Sequence, residues 1–69
     1  MNKDKAIVVF EELMAAVGNQ VEAVDLVRNS DSSEYRLRIK GSRIELGKVE
    51  DIAEAHNLSL TEENGLVLS

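Results

Sequence analysis

The chain has no cysteine, no proline and no tryptophan, and its aromatic residues are one Phe and one Tyr. Each absence excludes something. Without Cys there are no disulfides and no thiolate metal sites, as expected of a protein in a reducing compartment. The single histidine, His56, leaves an imidazole-based zinc centre without its ligand set. Scarce aromatics remove the stacking platforms on which single-stranded nucleic acids are usually held. No long apolar run occurs either: within the first predicted helix the longest stretch, Ala6 to Phe10, is too short for a signal peptide core or a membrane span. The amino end, MNKDK, is charged, and the sequon Asn57-Leu58-Ser59 has no meaning without export. A complete, cytoplasmic chain is expected.

What remains is aliphatic and acidic. The 69 residues carry a net charge of -5, with 13 acidic and 8 basic side chains. High aliphatic content, no proline and dispersed charge argue for a folded domain rather than disorder. The length allows one domain, which buries only about 60% of the surface its unfolded chain exposes. No repeat or linker divides it.

Periodicity predicts the elements. Asp4 stands where an N-cap belongs, and Ala6, Val9, Phe10, Leu13, Met14 and Val17 share one helical face up to Gly18. The β-branched run Ile7-Val8-Val9 is also compatible with a strand start. Tyr35, Leu37 and Ile39 alternate with Arg36, Arg38 and Lys40, the period-two pattern of a half-buried strand. Upstream, Val21 to Val27 pairs with that strand if Leu26 faces Leu37, Val24 faces Ile39 and Asp25 faces Arg38. A second helix over 21–28 is the alternative. Downstream, Gly41-Ser42 reads as a two-residue hairpin turn into a third strand, with Ile44 against Ile39, Leu46 against Leu37 and Glu45 against Arg38. One register then satisfies apolar and charged pairs in both hairpins. Gly47 ends that sheet. Lys48 to Asn57 reads as a helix with Val49, Ile52, Ala53 and His56 on one face, stopped by a left-handed Asn57. The tail is a hairpin turning on Asn64-Gly65, with Leu58, Leu60, Leu66 and Leu68 inward. The expected fold is one α+β domain over residues 1–69, order α-β-β-β-α-β-β, an antiparallel sheet against two helices.

Motifs for catalysis are wanting. His56 sits on an apolar helix face near a helix C-terminus, where the ring can pack and its charged form gains from the dipole, which points to a structural role. Glu11 and Glu12 are adjacent on a helix and point about 100° apart, which makes a solvated face rather than a shared-proton pair. Glu62-Glu63 is another adjacent pair in a solvated hairpin. GSRIELGKV resembles a phosphate loop only in outline: its glycine spacing is too long, Val49 stands where Ser or Thr should hold a metal, and Arg43 to Leu46 alternates like a strand. The Asn29 to Glu34 loop lacks the ligand spacing of a calcium hand. A non-catalytic domain without cofactor, metal or small-molecule ligand is expected.

Two surfaces stand out. Residues 36–48 hold five basic side chains against Glu45, while the rest of the chain is strongly acidic. With Arg38 matched by Asp25 and Glu45, the unmatched charges are Arg36, Lys40 and Arg43, candidates for contacting an anion or nucleic acid. Arg43 is expected to face Lys40 across the turn. The second surface is apolar: Val8 and Ala15 lie on the outer line of the first helix, and Val27 and Val67 on the outer side of the sheet. With a free edge on the short C-terminal strand, these four are candidates for a protein interface, including self-association as a homodimer. The expected function is a small protein-interaction or regulatory module that does not engage membranes, with nucleic-acid binding through 36–43 as the alternative.

Overall fold

Ile7, Val8 and Val9 are helical, because the line Ala6, Val9, Leu13 and Val17 supplies a continuous buried stripe that a strand starting there would break. The computed structural model describes all residues, Met1–Ser69. Its elements are α1 (Lys3–Val17), β1 (Ala23–Arg28), β2 (Tyr35–Lys40), α2 (Leu46–Ala55), β3 (Leu60–Glu62) and β4 (Leu66–Leu68). The N-cap of α1 is Asn2, whose side-chain oxygen accepts from the Lys5 amide at 2.8 Å. Asp4, expected as the cap, instead lies in the first turn, where its charge meets the positive end of the helix dipole. Gly18 closes the helix in right-handed geometry, its N–H donating to the Met14 carbonyl.

The segment 23–28 is a strand, not a helix, and it pairs with β2 in the expected register: Val24 with Ile39, Asp25 with Arg38, Leu26 with Leu37. The third strand of the expected meander does not form. Beyond Gly41 the chain leaves the sheet, and Leu46 and Gly47 open α2 rather than end a strand. The place beside β2 is taken by β4, with Leu37 opposite Leu68, Arg38 opposite Val67 and Ile39 opposite Leu66. The physical reason lies in composition. Leu66 and Leu68 pack on the core side and Val67 on the other face is 2% exposed, so this segment buries apolar side chains on both faces. Glu45 is instead held by Gln20: its amide donates to Gln20 Oε1 and its carboxylate accepts from Gln20 Nε2, each at 2.8 Å. Arg38 therefore has one acidic neighbour across the sheet, Asp25, and Glu45 lies 3.6 Å from Lys48.

The sheet order is β1-β2-β4-β3, antiparallel throughout, and the element order is α-β-β-α-β-β. The α+β class holds with one strand fewer before α2. The C-terminal strand is interior, and the free edges belong to β1 and β3. Val9, Leu13 and Val17 of α1, Val49, Ile52 and Ala53 of α2, and Leu37, Ile39 and Leu68 of the sheet form the core. Both helices thus cover one face of the sheet and leave the other open. Leu58, Leu60 and Leu66 pack against that core as expected. Asn57 is left-handed at φ 56 and stops α2, again as expected.

Two ties fasten α1 to the rest. His56 Nε2 lies 2.7 Å from Glu12 Oε2, and Lys5 Nζ donates to the His56 carbonyl at 2.6 Å. The only imidazole is thereby engaged in joining the helices. Just ahead of α1, Met1 exchanges two backbone bonds with Tyr35, while its ammonium group lies 2.6 Å from Glu34. No helix is long and apolar enough to cross a membrane.

Candidate functional site

The open face of the sheet carries Asp25 and Val27 from β1, Arg36, Arg38 and Lys40 from β2, Val67 from β4 and Thr61 from β3, as the pairings require. Arg36 and Lys40 are exposed on it. Arg43 is exposed in the 41–45 connection, so the expected pairing of Arg43 with Lys40 across a hairpin does not exist. Asp25 is the only carboxylate among the strand residues of that face.

The four apolar candidates do not form one surface. Val8 and Ala15 are exposed on the solvent side of α1, on the opposite side of the molecule from Val27 and Val67. Val67 does point to the open face, but it is 2% exposed. Its cross-strand neighbours are Arg38 and Thr61, and the aliphatic stem of an arginine can cover such a valine while its charged head stays in water. Val67 offers nothing for a partner to touch.

A cluster of exposed apolar side chains lies elsewhere. α1 packs beside α2 and lies mainly over β2, so β1, at the edge, receives only the flank of α1. Between them runs a cleft of about 410 Å³ lined by Ile7, Phe10, Glu11, Val24 and Leu26. Ile7 and Leu26 are each 40% exposed, and Met14, on the same helical line as Ile7 and Phe10, is 44% exposed. Glu11 is the only charged residue in the lining. Phe10 packs against the core as expected, but Met14, expected on the same buried face, is exposed. The missed signal was a surplus: α1 has more apolar positions than a stripe one side chain wide can bury, and Ile7, Phe10 and Met14 form a second line beside it.

The backbone of β1 completes the site. Tyr35 spends both its amide and its carbonyl on Met1, away from β1. In an antiparallel ladder the direction alternates, so Leu37 and Ile39 also turn their backbone groups away from β1, and Arg36, Arg38 and Lys40 turn theirs towards it. The residues opposite follow suit. Val24, Leu26 and Arg28 therefore direct their N–H and C=O groups to the free edge, while the side chains of Val24 and Leu26 line the cleft. An apolar cleft and a row of unpaired backbone donors and acceptors lie side by side. Elsewhere, no three His, Asp or Glu side chains gather as metal ligands would. Compared with protein-family models, curated proteins and solved structures, the chain matches none.

Proposed function

We propose that this domain is a non-catalytic protein-interaction module that receives its partner along the α1–β1 cleft and the free edge of β1. The carrying observation is the exposure of Ile7, Met14 and Leu26 beside Phe10 on one side of the molecule. Fully burying a side chain of this size is worth about 1.5–3 kcal/mol relative to leaving it in water, so an association that covers the cleft gains from each. The neighbouring strand edge supplies directional hydrogen bonds, the combination used when a partner adds a strand to a sheet.

A photo-reactive residue in place of Leu26 tests this in extracts of the native host. It is expected to capture discrete protein adducts that disappear when Ile7→Glu is added, while the same probe at Val8 captures none of them. Capture of nothing from position 26, or of the same species from both positions, removes the proposal.

A second reading rests on the open face. Because Glu45 lies outside the sheet, Arg36, Arg38 and Lys40 face only Asp25 there, and such a row suits a phosphate backbone. Tyr35 points to the core side and gives that face no stacking platform. Under this reading, single- or double-stranded oligonucleotides bind at low salt with an affinity that falls steeply as salt rises, and Arg36→Glu with Lys40→Glu abolishes it in a still-folded domain. Absence of binding at low salt eliminates it.

A further inference from the structure

We infer that the occupant of the cleft edge is a second copy of this chain, paired through β1 about a two-fold axis that passes beside Leu26. The inference rests on the interaction surface proposed above and adds the identity and register of the partner. Only Val24, Leu26 and Arg28 present backbone groups to the edge, so a strand added there must place its hydrogen-bonded residues against these three. β1 can meet itself antiparallel with Leu26 opposite Leu26 and Val24 opposite Arg28 of the other copy. This uses all three positions in both copies.

The charges select this register over its neighbours. A shift in one direction sets Asp25 directly against Asp25 of the second copy, and like charges facing each other destabilise a strand pair. The opposite shift carries Val24 past the end of the partner strand. In the chosen register Asp25 faces Val27 and keeps its own Arg38. Arg28, which makes no ion pair within its own chain, arrives opposite Val24 on the cleft side. There Glu11, the one charged lining residue and likewise without an ion pair, awaits it. Two-fold symmetry repeats this complementarity, so each copy both gives and receives an arginine. The result is an eight-stranded antiparallel sheet with the two clefts facing one another across the axis. The net charge of -5 on each copy opposes association at long range, but at physiological salt that repulsion is screened beyond about 8 Å, whereas the Glu11–Arg28 contacts are local.

Sedimentation of the purified chain across a concentration series, up to millimolar, is the test. A mass of twice 7.6 kDa is expected at the upper end. Arg28→Glu, which sets it against Glu11, should raise the dissociation constant about tenfold or more, and Glu11→Arg combined with Arg28→Glu should restore it. Both positions are exposed, and unchanged circular dichroism certifies that the variants are folded. Amide exchange at Val24, Leu26 and Arg28 should slow on concentration. A strict monomer, or a dimer indifferent to Arg28→Glu, overturns the inference. If the chain stays monomeric while the Leu26 probe still captures a different protein, the second copy is ruled out and the interaction surface stands.

Discussion

Leu68→Ala is expected to lower the unfolding free energy by about 2–5 kcal/mol, whereas Leu46→Ala will stay within about 0.5 kcal/mol of the parent. Leu68 is fully buried, pairs with Leu37 on one side and Leu60 on the other, and belongs to the core. Removing its three outer carbons forfeits their transfer energy and leaves a cavity that backbone held on both sides cannot close. Leu46 begins α2 and is 46% exposed. A domain of this length holds roughly 0.05–0.15 kcal/mol per residue in all, so the Leu68 variant sits near its unfolding threshold. Urea titration followed by far-ultraviolet circular dichroism measures both. Equal losses, or a larger one at Leu46, would mean that the segment 43–46 and not β4 lies beside β2.

The second large effect comes from a pair of glycines with opposite expected signs. Gly65 has φ +125, a region costly for any side-chain-bearing residue, and an added Cβ would lie 2.9 Å from the Ile39 carbonyl oxygen. That oxygen belongs to the central strand and has no freedom to retreat. Gly65→Ala should cost about 1–3 kcal/mol from backbone strain alone, with the close approach adding to it. Gly47 lies in the first turn of α2, and a Cβ there meets nothing within 4 Å. Gly47→Ala should therefore stabilise, by up to about 1 kcal/mol, through reduced freedom of the unfolded chain and better helix propensity. The same titrations decide it. Two losses of similar size would contradict the helical placement of Gly47.

These experiments probe the places where local pattern and tertiary structure part. The β1–β2 register was legible because Leu26, Val24 and Asp25 each had one correct partner within reach of a short loop. The Asn57 stop and the Asn64-Gly65 turn were legible for the same reason, since each is a property of a few adjacent residues. The neighbour of β2 on its other side was not. Arg43 to Leu46 offered the nearest alternating segment, and its match to β2 in apolar and charged positions was good. What defeated it was remote: the Gln20 side chain bonding Glu45, and a C-terminal strand apolar on both faces. The candidate surfaces fared likewise. Exposure of Arg36 and Lys40 follows from alternation alone. Burial of Val67 and exposure of Ile7 and Met14 depend on which strand lies under which helix, which no local period encodes.

The placement of β4 has a consequence for the order of events in folding. β1 and β2 can close as a local hairpin, but the other edge of β2 waits until α2 and β3 have been traversed and the 66–68 segment arrives. Closing so long a loop costs entropy before any contact repays it, which slows the final step. During that interval Leu37 and Ile39 flank an unsatisfied strand edge, open to pairing with another unfinished chain. The fold's dependence on its last few residues thus makes the late docking of β4 the step at which productive folding competes with aggregation.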